Sequence, residues 1–332
     1  MPHVPLKHQE LFKFGISAFS LTSFNSLSSN ARLVVENINT AQSKVFRLVS
    51  NPRLLNNFSS LAAKSNLVQR NSLVNIDFST FCGFETLAFG VQTSLGRAIP
   101  VWANCLTYPI EEVGSQNIFV ISEIQKFGEV LGFYPRFVFD RGFWIPDMIK
   151  FFLEGDVSFY LRVKQDKLLQ GTEGIIRSAV ALGKKAKDVH ISLYGKPVRL
   201  IVSPPPPKKL FKKVPGKKLE RWYILTNDLK CTREAALKIY YHRFEIEETF
   251  KDLKHVARLK KLFIKKILSF RILLQFICLG FWLAFWCTQL TQLTTHTLPK
   301  LTHPKKKRSY FKVWWESIQR LSRVNLKLLD TG

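Results

Sequence analysis

The chain has 332 residues and a formal net charge of +26, from 50 Lys and Arg against 24 Asp and Glu. So large a surplus excludes an ordinary soluble enzyme of small metabolites and points to a polyanionic partner. An apolar fraction of 46%, with 13% aromatics, excludes a disordered basic tail, because a core can be buried. The surplus is uneven. Segments 1–70, 164–220, 251–270 and 299–332 are basic, whereas 71–163 holds six basic against ten acidic residues, a net −4.

Residues 1–70 read as polar helices broken by Ser/Asn-rich turns (SFNSLSSNAR, NPRLLNNFSS), without helix-turn-helix spacing. The first residues, MPHVPLKHQELFKF, lack the basic-then-apolar order of a signal peptide. From residue 71 the period becomes that of strands. LVNIDFST alternates, and ETLAFGVQTS and RAIPVWANCL follow across short Gly-containing turns, which predicts an antiparallel three-strand meander. SQNIFVISEIQKFGEVL at 115–131 reads as a helix with Ser115 as N-cap. FVFD at 137–140 is a short strand, 146–154 a helix opened by Pro146, and VSFYLRVK at 157–164 another strand.

Residues 165–220 interrupt this rhythm with GKKAK, the strand-like HISLYG and VRLIVS, prolines 204–207 and FKKVPGKK. A four-proline run cannot sit in a central strand and marks an exposed connection. RWYILTND resumes a strand, and Thr232 can cap one long helix reaching about His255. Leu268 to Cys287 is apolar enough to be weighed as a membrane span, but Arg271 and Gln275 lie within it, which favours a buried core helix. Five scattered cysteines without a CxxC pair indicate neither a disulfide framework nor a zinc site, and fit a reducing compartment.

The residues richest in chemistry lie in IYYHRFEIEETFKDLKH. On a continuous helix, at about 100° per residue, Tyr240, Arg243, Glu247 and Lys254 share a face about 60° wide. A carboxylate flanked there by two cations and a phenol can bind a divalent metal while the cations hold phosphates. The competing reading is an exposed helix in which Arg243 and Glu247 form an i,i+4 ion pair. Glu245 and Glu248 point more than about 90° away from Glu247 on such a helix and are poor substitutes for it.

The spacing Tyr240-x2-Arg243-x3-Glu247-x6-Lys254 resembles the Tyr-Arg-Glu-Lys signature of bacterial insertion-sequence transposases. In that family the Glu completes an Asp-Asp-Glu triad on a ribonuclease-H-like fold. The first Asp is expected on the first strand of the meander, where Asp77 is the acidic residue, opposite in facing to Val74, Ile76 and Phe78. The second is expected at the end of the strand after the next helix, where Asp140 stands in FVFDRGF, similar to the family's Asp-Arg-Gly segment. Asp147 and Asp156 are weaker candidates, falling in a helix and at a strand start. Taken singly, each Asp could equally be a turn residue or a satisfied buried polar group.

The resemblance implies an α/β architecture, a ribonuclease-H-like mixed sheet flanked by helices, with a basic β-rich insertion and helical N- and C-terminal parts. The expected organisation is a helical DNA-binding region at 1–70, the catalytic domain in two parts at 71–164 and 221–290, the insertion at 165–220 and a basic tail at 291–332. It implies cleavage at the element's ends and joining of the freed 3′-hydroxyls to target DNA. Two Mg²⁺ ions, which Mn²⁺ can replace, would be held by Asp77, Asp140 and Glu247. Carboxylates suit such hard ions, which stand about 4 Å apart in two-metal phosphodiester chemistry.

Tyr240, Arg243 and Lys254 would then contact DNA phosphates. Trp222 occupies the place of a base-stacking tryptophan, and its competing role is core packing. Lys208, Lys209, Lys212 and Lys213 would bind the duplex backbone without sequence preference. The implied partners are double-stranded DNA (terminal inverted repeats and target) and a second copy of the chain in a synaptic complex, without a membrane. The implied setting is the bacterial cytoplasm, on the nucleoid. An inactive or domesticated DNA-binding relative and a basic membrane-anchored protein are the alternatives.

Overall fold

The computed structural model describes residues 38–54, 67–93, 96–107, 115–170, 176–184, 187–205, 220–255, 259 and 264–294. The architecture is mixed α/β, with a large mixed sheet and flanking helices. The chain divides into two compact units, one from residues 1–68, 78–131 and 245–332, the other from 69–77 and 132–244.

In the first unit the predicted meander is present. Strands β1 (Leu73–Phe81), β2 (Phe84–Val91) and β3 (Ile99–Leu106) lie in the order β3-β2-β1, and β2 and β3 pair antiparallel. The two-residue link from β1 to β2 has positive φ at both Cys82 (53°) and Gly83 (83°), the backbone of a tight hairpin turn. Helix α1 (Ile38–Val49) precedes the strands, and α2 (Gln116–Leu131) follows them. The Ser115 hydroxyl accepts the Ile118 N–H at 3.2 Å, which fulfils its expected capping role.

The apolar run weighed as a membrane span lies in a 28-residue helix, Ile267–Thr294. Its Phe270, Ile272, Leu273, Phe276 and Ile277 are buried, and Arg271 donates to the Cys105 carbonyl at 2.8 Å. Among the described residues no helix is long and apolar enough to cross a membrane.

The second unit carries the first residues of β1, then β4 (Arg136–Phe139), β5 (Phe159–Val163), β10 (Tyr223–Thr226), β9 (Lys196–Val202) and β8 (Asp188–Leu193), hydrogen-bonded in that order. The pairs β1–β4 and β4–β5 are parallel, whereas β10 is antiparallel to both β5 and β9. Strands β8 and β9 come from the interrupting segment, joined by a turn at Tyr194 and Gly195 with positive φ at both. The short ribbon β6 (Leu168–Gln170) with β7 (Ile176–Ser178) lies outside the main sheet, and α4 (Ala179–Leu182) follows it.

One face of β4 and β5 packs on α3 (Pro146–Glu154). Phe137, Phe139 and Phe159 each stack on Phe152 with ring centroids 5.7 Å apart. A buried phenylalanine contributes about 2 kcal/mol through apolar burial, so this layer holds the parallel strands in register. The opposite face carries the next row of side chains, in which Val138, Tyr160, Ile201 and Ile224 are covered by Ala236 and Tyr240.

Candidate active site

The parallel register determines which residues stand side by side. Ile76 pairs with Phe139, and Phe139 with Leu161. One position further along the three strands lie Asp77, Asp140 and Arg162, on the same face as the covered row of Val138 and Tyr160. Two carboxylates and a guanidinium thus border the apolar row. Asp140 leaves β4 in an extended conformation (φ −81°, ψ 170°) and opens the short turn Arg141–Phe143.

Helix α5 (Arg233–Tyr241) covers that row. Its N-cap is Thr232, as expected, with the side chain accepting the Ala235 N–H at 3.2 Å. The single helix expected through His255 is, however, two helices. His242 closes α5 with its N–H on the Lys238 carbonyl (3.1 Å), Arg243 N–H turns back to Tyr240 (3.0 Å), and α6 (Phe244–His255) begins anew. The side-chain amide of Asn75 on β1 donates to the His242 carbonyl at 3.2 Å, so the break is held by a residue far away in sequence.

The shared 60° face expected for Tyr240, Arg243, Glu247 and Lys254 assumed an unbroken helix, whereas these residues lie on α5, at its end and on α6. Tyr240 and Arg243 belong to the unit of Asp77 and Asp140, whereas Glu247 and Lys254 belong to the other.

Within the second unit the expected residues meet. The Arg243 guanidinium donates to Asp77 Oδ2 at 3.2 Å, and the Tyr240 hydroxyl donates to Asp140 Oδ1 at 3.0 Å. Arg162 lies 3.9 Å from the same Asp140 oxygen and 3.3 Å from Glu220, which Arg141 also reaches at 3.1 Å. Trp222 packs edge-to-ring on Tyr240 (centroids 5.1 Å apart) and against Phe244 (6.1 Å). Its indole therefore braces the tyrosine.

Burial pushes the Asp140 carboxyl up, but Arg243, the Arg141 N–H, the Tyr240 hydroxyl and Arg162 outweigh it and hold the group below its ordinary range. Burial, with help from Asp140, pushes the Tyr240 phenol above its ordinary value despite the opposing Arg243. The phenol therefore stays protonated as a donor while Asp140 stays an acceptor.

In the first unit, Glu247 is half-buried on α6, and the Lys254 ammonium lies 5.4 Å above the Phe81 ring. The flanking Glu245 is buried and accepts the N–H groups of Thr93 (2.9 Å) and Gly96 (3.3 Å), and Glu248 pairs with Arg97 and Lys251. Asp147 sits in the first turn of α3, and Asp156 follows it in a left-handed turn (φ 50°). Lys208, Lys209, Lys212 and Lys213 lie outside the described residues.

Among the described residues no group of three or more His, Cys, Asp or Glu is gathered to hold a metal ion. The neighbouring Asp77 and Asp140 do offer hard oxygen donors, and Asp140 is held below its ordinary carboxyl range, which is the donor chemistry a divalent ion takes. Asn75 and Arg162 escaped the sequence reading. Asn75 had one signal, a polar residue on the same strand face as Asp77 two positions before it.

No protein-family model matches the chain, and no curated protein matches it. Among solved structures it is similar to a piggyBac transposase seen by cryo-EM in a synaptic complex with hairpin DNA. The TM-score is 0.42 and the sequence identity 9%, over 78% of this chain and 54% of that one. The chain thus spans about half the length of that transposase.

Proposed function

We propose that this chain is a DNA transposase, cutting DNA at the ends of a mobile element and joining the freed 3′-hydroxyls to target DNA. Asp77, Asp140 and Glu247 are its carboxylates. The observation that carries the reading is the meeting of residues far apart in sequence: Arg243 bonds Asp77, and Tyr240 bonds Asp140. The resemblance implies the strand positions of the aspartates, and the spacing of Tyr240 and Arg243 from Glu247 and Lys254 carries that resemblance. The bonds join residues 166 and 100 positions apart. The net charge of +26 supports a nucleic-acid partner.

In this reading Arg243 exchanges the Asp77 carboxylate for a backbone phosphate, since the guanidinium fork suits either anion. Asp77 is then released beside Asp140. Tyr240 holds Asp140 in one rotamer, and Trp222 keeps the phenol in place. Asp77, Asp140 and Glu247 would hold Mg²⁺, which supplies Lewis-acid charge to the attacking and leaving oxygens. Glu247 enters through its four-residue spacing from Arg243, and Lys254 through the phosphate it would hold.

The test uses duplexes that tile the DNA flanking the gene, incubated with the full chain and Mg²⁺ or Mn²⁺. Strand cleavage is expected at short inverted repeats. Glu247→Ala is expected to abolish cleavage and leave DNA binding within about threefold. Undiminished cutting by that variant would overturn the mechanism. Wild-type binding without cutting would assign an inactive DNA-binding relative instead.

A further inference from the structure

We infer that Asn75 is a positioning residue for this site. It holds open the break between α5 and α6 so that Arg243 docks on Asp77; this rests on the reading of Arg243 and Asp77 as site residues. Asn75 is fully buried within an otherwise apolar stretch of β1. Burying an amide without a partner costs about 1–3 kcal/mol, so a side chain of this type at this depth needs a bond. It donates to the His242 carbonyl at 3.2 Å, across 167 residues of sequence.

His242 is the residue at which α5 stops, and Arg243 follows it directly. Asn75 and Asp77 are two apart on one strand, so both face the break. A single strand therefore offers an amide donor to the residue before Arg243 and a carboxylate acceptor to Arg243 itself. The donor's sign matters. An aspartate at 75 would set an acceptor against the His242 carbonyl and add a second negative charge near Asp77, whereas the amide does neither.

Other bonds also hold this turn. Tyr240 reaches Asp140, and the Arg243 N–H reaches the Tyr240 carbonyl. Neither restrains the carbonyl of His242. Asn75 supplies that restraint, and it fixes the backbone from which the Arg243 side chain departs. Arg243 is itself 3% exposed, so its rotamer has little room to compensate for a displaced backbone.

A double-mutant cycle tests this with Asn75→Leu, Asn75→Asp, Arg243→Ala and the Asn75→Leu/Arg243→Ala pair in the full chain. Cleavage kinetics are measured under Mg²⁺. Asn75→Leu is expected to lower kcat about 10- to 100-fold with KM for DNA changed less than threefold, and Asn75→Asp to lose more. In the Arg243→Ala background, Asn75→Leu is expected to lower kcat by less than twofold further. A full further loss there, or an unchanged kcat in Asn75→Leu alone, overturns the inference.

Wild type, Asn75→Leu, Arg243→Ala and the double variant are also unfolded in urea. Non-additive midpoints are expected, whereas additive ones would sever Asn75 from Arg243. A wild-type chain that binds and cuts no DNA would instead overturn the transposase reading, and the urea cycle would still judge the role of Asn75. The two failures are thus distinguishable.

Discussion

Two sets of carboxylates in this chain are bound in contrasting ways. On α6, Glu245 and Asp252 are 5% and 6% exposed. Glu245 is locked by two backbone N–H groups of the β2–β3 turn, and Asp252 by Arg97 at 2.7 Å. On the second unit's sheet, the side chains of Asp77 and Asp140 are 21% and 33% exposed, and their oxygens meet the side chains of Arg243, Tyr240 and Arg162, with one backbone N–H at Asp140. A backbone donor cannot leave without unfolding its turn, whereas a guanidinium can exchange one anion for another. The first set is built to stay, the second to change partners.

The sharpest way to break this contrast is to remove a carboxylate from each set. Asp140→Asn is expected to reduce cleavage at least about 10³-fold, with a smaller fall in the urea midpoint than Glu245→Gln causes. Glu245→Gln is expected to do the reverse. It weakens two hydrogen bonds to a buried anion and lowers stability by about 2 kcal/mol, leaving turnover per folded molecule within about threefold. Equal losses of activity, after correction for the folded fraction, would erase the distinction.

The contrast also shows what could be read in advance. Glu245 and Glu248 point away from Glu247 on a helix, and Glu245 is bound to the β2–β3 turn. Alternation and strand order are local signals, so the strand positions of Asp77 and Asp140 could be read once the resemblance pointed to them. The helix break was not. Periodicity through IYYHRFEIEE is continuous, and the donor that holds the break sits on β1. Arg162 was equally invisible, because only the register Phe139↔Leu161 sets it beside Asp140.

A finer test of the exchangeable set uses pH. The folded Asp140 carboxyl lies below its ordinary value, so its neighbours stabilise the fold only while it is ionised. That contribution is fully present above the unfolded pKa, about 3.9, and is lost as pH falls through the lower folded value. Arg162→Ala removes one of the groups depressing it. The acid limb of the cleavage profile is then expected to move to higher pH, with the alkaline limb unmoved. An acid limb that stays in place would show that Arg162 does not act on Asp140.

The smallest expected effect lies at Lys254, in the other unit. Its ammonium lies over the Phe81 ring, at 5.4 Å from the centroid, a contact worth about 0.5–1 kcal/mol at an accessible site. If Lys254 also holds a phosphate, Lys254→Ala removes one counterion-releasing contact. The slope of log affinity against log salt is then expected to shrink by about one, with binding weakened evenly across DNA sequences. Lys254→Met separates the two roles, because it keeps an unbranched apolar chain over Phe81 and lacks the charge. Both variants should lose the same salt slope, and only the alanine should lose packing. A salt slope unchanged in both would leave Lys254 as a partner of Phe81 alone, and would confine the proposed phosphate contacts among the described signature residues to Arg243.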